Sequence, residues 1–331
     1  MEVIAAYGTI LIILAMIFGL YMTWGVGAND LANAMGTSVG AGAVTVKQAI
    51  GIAIIFEFLG AVLAGGHVTK TIRKGIIDPS GIVDQPEILV FGMLASLLAA
   101  AIWLMIASAK GWPVSTTHSI VGALVGFALV GIGGDAVNWS KIWTIVASWV
   151  ISPAVGGTIS FVLVMSTRKL IFDTENPLRN AKKYAPFYIF LVGFIISLVT
   201  LFKGLKHLHV HLTGGQSFAA AVIIGILTAL FGWSLVRKVA EDPAADRDFH
   251  FASVEKVFTP MMLFTACSMA FAHGSNDVAN GIGPLAAVYS IVSSGGKVMQ
   301  DSEMPFWILL LGGGGIVAGL VTLGYKVMLT V

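Results

Sequence analysis

The sequence predicts an all-α integral membrane protein built as an inverted repeat, with broken helices and a re-entrant helical hairpin. Three observations carry that reading. Of 331 residues, 57% are hydrophobic and 11% charged, whereas a soluble domain carries about 25% charged residues. Such a chain cannot coat itself with polar side chains, so lipid must solvate much of its surface. Apolar stretches of spanning length recur along the chain, and a ten-residue motif near its start returns near its end.

The spanning stretches fall at about 4–24, 48–66, 88–109, 140–165, 186–203, 216–236, 258–272 and 306–329. The first lacks a basic leader and a small-residue cleavage site, and it is longer than a signal-peptide core. It reads as a retained transmembrane helix. Two shorter segments, 26–46 and 112–130, are rich in Gly, Ala, Ser and Thr, which suits close packing or interrupted helices. Most of the 39 glycines read as packing residues. With Cys267 alone, no intrachain disulfide is possible, and a buried inert thiol is expected.

The loops give the orientation. Residues 166–183 carry Arg168, Lys169, Arg179, Lys182 and Lys183; residues 237–256 carry Arg237, Lys238, Arg247 and Lys256. Two spans separate these loops, so they share a side, and their basic excess makes it the cytoplasm. The loop at 67–87 sets Lys70, Arg73 and Lys74 against Asp78, Asp84 and Glu87. With a re-entrant hairpin at 88–130 it faces outward, against the same rule. The chain divides into a first repeat at 1–166, linking helices and cytoplasmic loops at 167–256, and the start of a second, incomplete repeat at 257–331.

Gly27-Ala28-Asn29-Asp30-Leu31-Ala32-Asn33-Ala34-Met35-Gly36 matches Gly274-Ser275-Asn276-Asp277-Val278-Ala279-Asn280-Gly281-Ile282-Gly283 at six of ten positions. With residues 4–46 as one broken crossing, five crossings lead from the first copy to the second. An odd number inverts one copy relative to the other, and a hairpin leaves the parity unchanged. A separate crossing by 26–46 would reverse it. Inverted copies with broken helices place a substrate site between them.

Three acids lie inside apolar segments: Asp30, Glu57 and Asp277. A charged group there costs about 3 kcal/mol or more unless paired or hydrated. Asp30 and Asp277 occupy matched repeat positions. The plain alternative is a structural cap on a half-helix. As a site, Asn29, Asp30, Asn33, Asn276, Asp277 and Asn280, with unwound backbone carbonyls, form a hard oxygen cage for Na⁺. Glu57, between Phe56 and Phe58, is either a protonated core carboxyl or a further cation ligand or proton acceptor. No Cys and His cluster points to a transition metal.

Pro113-Val114-Ser115-Thr116-Thr117-His118 is the third feature. Pro opens a helix, and a helix start offers free N–H groups and a positive dipole end. Three consecutive hydroxyls, where a cap needs one, suit a tetrahedral oxyanion held by Ser115, Thr116 and Thr117. Monohydrogen phosphate brings a proton that Asp30 or Asp277 can accept, and sulfate does not. His118 and His273 are possible site residues or structural hydrogen-bonders, and Trp112 marks an interface.

At these motifs the chain resembles the inorganic phosphate transporter (PiT) family, and the likeness spans essentially the whole chain. Gly27 to Gly36, Pro113 to His118 and Phe271 to Asn280 carry it. The resemblance implies an inverted-repeat helical symporter that moves phosphate inward with Na⁺ or H⁺. It makes the Asn-Asp motifs cation and phosphate determinants, and it puts the Ser-Thr-Thr segment at a hairpin tip touching phosphate. Thr71 to Asp78 and Glu57 resemble the sodium-coupled branch. The family's second half normally carries another Pro-Val-Ser-Thr-Thr-His hairpin and another such acid. Neither occurs in these 331 residues, so half of the phosphate cradle is expected to be missing.

The function expected is Na⁺-coupled import of inorganic phosphate across the plasma or inner membrane, without enzymatic activity or a cofactor beyond the coupling ion. Expected partners are phosphate, Na⁺, the bilayer and a second copy of the chain, with no nucleic acid. The alternatives are proton coupling, another oxyanion such as sulfate, a channel, or an intramembrane enzyme with a Ser115–His118 dyad.

Overall fold

The structure is a computed structural model that describes residues 2–66, 75–77, 85–204, 212–241, 251–298 and 304–331. In chain order its helices are α1 (Glu2–Gly40), α2 (Val46–Ala64), α3 (Pro86–Ala109), α4 (Thr116–Gly131), α5 (Trp139–Phe172), α6 (Pro177–Phe202), α7 (Gly214–Val236), α8 (Ala252–Ser293) and α9 (Phe306–Thr330). All but α4 are long and apolar enough to cross a membrane. Lys70, Arg73, Lys74, Asp78, Asp84 and Arg247, from the loops used for orientation, lie outside the described residues. So does the Thr71–Asp78 stretch, apart from Gly75–Ile77.

The chain forms two compact units, Met1–Ile142 with Cys267–Val331, and Trp143–Ala266. In the first, α1 packs against α9, α3 and α2. Glycines make the closest approaches. A Cβ on Gly27 would overlap the Ile316 carbonyl, and one on Gly319 would overlap the Trp24 carbonyl. The crossing of α8 with α2 is built alike: a Cβ on Gly274 would overlap the Glu57 carbonyl, and one on Gly60 the Phe271 carbonyl. Each repeat's motif helix thus lies on the helix that follows the other repeat's motif. Small residues let backbones meet at such distances.

The motif helices themselves are unbroken. α1 runs 39 residues through Asn29 and Asp30, and α8 runs 42 residues through Asn276 and Asp277. Of the two readings of 26–46, close packing holds at the motif and interruption does not, and the second motif is likewise uninterrupted. Gly27 and Gly274 serve helix contact instead, and no unwound carbonyls face a ligand there. Residues 26–40 therefore continue α1 and make no separate crossing.

The break comes between α3 and α4, which pack together as a helical hairpin. Gly111 (φ 69°) takes the left-handed conformation that ends α3. The Trp112 N–H returns to the Ala107 carbonyl (2.8 Å) and the Gly111 N–H to the Ser108 carbonyl (3.0 Å), closing a Schellman turn. After Pro113, Ser115 caps α4 by accepting from the His118 N–H (3.2 Å). Near the far end of α4, the Asn138 N–H donates to the Ile76 carbonyl (3.0 Å).

The second unit packs α6 against α7. Its core joins Ile171, Ala181, Ala185, Tyr188, Ile189, Val236, Val254 and Val257, flanked by Phe172, Phe251 and Phe258. Ser166 and Tyr188 share a 2.7 Å hydroxyl hydrogen bond. No residue of Trp139–Thr167 is buried, and Trp143, Val150, Phe161 and Val164 are all exposed. So apolar a surface calls for lipid rather than water. Cys267 is a free thiol, only partly buried.

Candidate functional site

The hairpin tip, α1 and α8 converge within the first unit. Asn29 clasps the tip. Its Nδ2 donates to the Trp112 carbonyl (2.9 Å) and to Ser108 Oγ (3.2 Å), and its Oδ1 accepts from the Val114 N–H (3.0 Å). The amide expected to ligate Na⁺ is thus also engaged in fixing the tip. Its repeat mate, Asn276, is exposed and lies outside the cleft lining described below.

The next two hydroxyls reach one acid from each repeat. Thr116 Oγ1 donates to Asp30 Oδ2 at 2.8 Å, and Thr117 Oγ1 to Asp277 Oδ1 at 3.5 Å. Asp30 Oδ1 also accepts from Asn33 Nδ2 (3.1 Å), and Asp277 Oδ1 from Asn280 Nδ2 (3.3 Å). The spacing of i and i+3 puts each Asn beside its Asp on one helix face. Asn280 Nδ2 further donates to both threonine hydroxyls at 3.2 Å. Asp30 and Thr116 are each 3% exposed.

These groups surround a cleft of about 280 Å³ lined by Asp30, Asn33, Pro113, Val114, Ser115, Thr116, Thr117 and Asp277. One wall is the first turn of α4, where an α-helix leaves backbone N–H groups unpaired. The cleft thus sets anion donors against cation-attracting carboxylates.

His273 has a larger place than the sequence assigns it. Its Nε2 stands 3.0 Å from Asp277 Oδ2 and 3.6 Å from Asp30 Oδ2, and its Nδ1 stands 3.1 Å from Glu57 Oε2. Asp30, His273 and Asp277 can each bring a ligand atom within 4.8 Å of the others. Glu57 is fully buried, does not line the cleft and stands against the other nitrogen of the imidazole. Neither Glu57 oxygen nor either His273 nitrogen has a hydrogen-bond partner of good geometry. His118, by contrast, faces a separate groove with Ala99, Ala100, Trp103 and Ser119, which leaves His118 outside the carboxylate cluster, while Ser115 lines both. Recognising His273 takes the contact with Glu57 on another helix, which local sequence does not carry.

A cleft that brings helix-start hydroxyls to an acid from each copy of one motif, among helices long and apolar enough to cross a membrane, is the mark of a helical membrane transport protein. The sequence profile of the phosphate transporter family matches residues 26–331. A Haemophilus influenzae protein provisionally named a phosphate permease is 50% identical over 331 residues, covering 100% of this chain and 79% of its own. An inorganic phosphate transporter of Arabidopsis thaliana, named as chloroplastic, is 40% identical over 96% of this chain and 57% of its own. A solved structure titled the sodium-dependent phosphate transporter is 44% identical, with a TM-score of 0.86 over 97% of this chain and 77% of that one. The chain belongs to the phosphate transporter family, whose members are transporters and permeases rather than enzymes.

Proposed function

We propose that this protein is a symporter that imports inorganic phosphate with Na⁺ across the cell membrane and works as a homodimer. Segments 1–166 and 257–331 carry the two repeats, and 167–256 links them. Phosphate sits at the start of α4, on the Ser115, Thr116 and Thr117 hydroxyls and the first-turn N–H groups, with Asp30 and Asp277 at its flanks. Na⁺ ions take Asp30 with Asn33 and Asp277 with Asn280. Asn29 holds the tip, and Glu57 acts through His273.

One observation carries this reading: two adjacent hydroxyls at a helix start are each directed at an acid from a different repeat. A hydroxyl has one proton to give. While Thr116 donates to Asp30, it cannot donate to phosphate. A cation at Asp30 takes over the balancing of that carboxylate and frees the proton for the anion. Cation and anion binding are then mutually reinforcing, by about 1–3 kcal/mol in each direction. The sodium-dependent relative supports Na⁺ as the coupling ion. The test is radiolabelled phosphate uptake into proteoliposomes with Na⁺ and pH gradients imposed separately. Uptake driven by Na⁺ is expected. Uptake that follows pH and ignores Na⁺ makes the carboxylates proton acceptors and overturns the sodium assignment.

A further inference from the structure

The two glycine crossings match contact by contact. A Cβ on Gly319 would meet the Trp24 carbonyl and the Ala28 nitrogen, and one on Gly60 would meet the Phe271 carbonyl and the Ser275 nitrogen. Trp24 and Ala28 stand three residues before and one after Gly27. Phe271 and Ser275 stand likewise around Gly274. Gly319 therefore corresponds to Gly60. Ile316, met by Gly27, corresponds to Glu57, met by Gly274. In the same register, Val26 corresponds to His273. One crossing holds His273 and Glu57; the other holds Val26 and Ile316 at the same positions. Val26, Ile316 and Glu57 are each 0% exposed, and His273 is 8% exposed.

We infer that His273 and Glu57 form one positioning unit for the coupling site, added to one repeat only. The Val26–Ile316 copy demonstrates that the crossing is built without either ionisable side chain. Burying polar groups in place of an apolar pair costs stability. That cost is concentrated at one point: a single imidazole lies 3.6 Å from Asp30 of the first repeat and 3.0 Å from Asp277 of the second, and Glu57 lies 3.1 Å from its other nitrogen. Orientation of one ligand by a group behind it is how outer partners tune cation sites. The two cation positions are consequently unequal, because only the Asp277 side carries its own imidazole at i−4.

This inference rests on the sodium-coupled reading, and its test separates the two. The E57I/H273V protein copies the other repeat's pair. It is expected to fold, and to melt higher than H273V alone, which strands a buried carboxyl. Its half-saturating Na⁺ for phosphate uptake should rise by about tenfold or more, with the rate at saturating Na⁺ much less affected. H273Q, which keeps one polar contact, should give a smaller rise. Wild-type Na⁺ dependence in the double variant overturns the positioning role, as does a double variant that does not fold. Uptake by the parent protein that ignores Na⁺ overturns the coupling assignment, and this inference with it.

Discussion

Replacing Thr116 by Val tests the shared proton directly. The side chain keeps its shape and loses the hydroxyl that donates to Asp30 Oδ2 at 2.8 Å. Without ligands the loss is cushioned: Asp30 keeps Asn33 at 3.1 Å, and Asn280 keeps Thr117 Oγ1 at 3.2 Å. The variant should therefore fold. With phosphate on this hydroxyl as proposed, the bond removed is one to a charged group, which contributes about 1.5–3 kcal/mol. At saturating Na⁺, phosphate affinity should fall on the order of ten- to a hundredfold. Na⁺ affinity without phosphate should change far less, because the ion replaces the donor that Asp30 has lost. Thr116→Ser should restore phosphate binding. The assay is phosphate titration of purified protein at several Na⁺ concentrations, with choline keeping the ionic strength constant. Unchanged phosphate affinity at saturating Na⁺ would refute the reasoning, and so would a Na⁺ affinity that falls as far as the phosphate affinity.

Asp30→Asn and Asp277→Asn should each raise half-saturating Na⁺ and, through it, weaken phosphate binding by a factor within about 5–150; isothermal titration in Na⁺ and in choline measures both. Asn29→Ala removes three hydrogen bonds from the hairpin tip and should lower phosphate affinity by about tenfold or more, whereas Asn276→Ala, at an exposed position, should cost less in the same titration. Gly27→Ala and Gly274→Ala each push a methyl group into a carbonyl of the crossing helix, at about 1–3 kcal/mol or more. Gly36→Ala meets only Val331 Cγ1 at 3.8 Å and should melt like the parent in a detergent thermal-shift assay.

What the sequence discloses and what it conceals follow from where each property is decided. Spanning helices are legible because apolar length is local, and the hairpin tip is legible because Gly111, Pro113 and Ser115 stop and restart a helix within five residues. The pairing of Asp30 with Asp277 is legible because the motif repeats. Helix continuity is not, since Gly27 reads equally as a break or as a contact, and Ile316 decides between them from far along the chain. Asn29 and Asn276 are identical in the repeat, yet one grips the tip and the other is exposed. Glu57 reads equally as a protonated core carboxyl or as a cation ligand or proton acceptor, and its contact with His273 is invisible in the sequence. Each of these points concerns a residue whose surroundings are set by a distant helix.

The tip's geometry gives the proposed anion site a way to answer to two cations. Successive residues on a helix point about 100° apart, so Thr116 and Thr117, adjacent in the first turn of α4, can face different helices. One meets α1 at Asp30 and the other meets α8 at Asp277. A single hydroxyl, or two spaced a full turn apart, would face one repeat alone. Asn280 donates to both hydroxyls, so neither can turn without changing the other's surroundings, and a hydrogen-bonded network responds as a unit. A cation at either acid thus alters the donors offered to the anion. On the proposed reading both repeats must supply their acid for the full effect, which is a physical reason for a membrane protein to keep two copies of one motif around one hairpin tip.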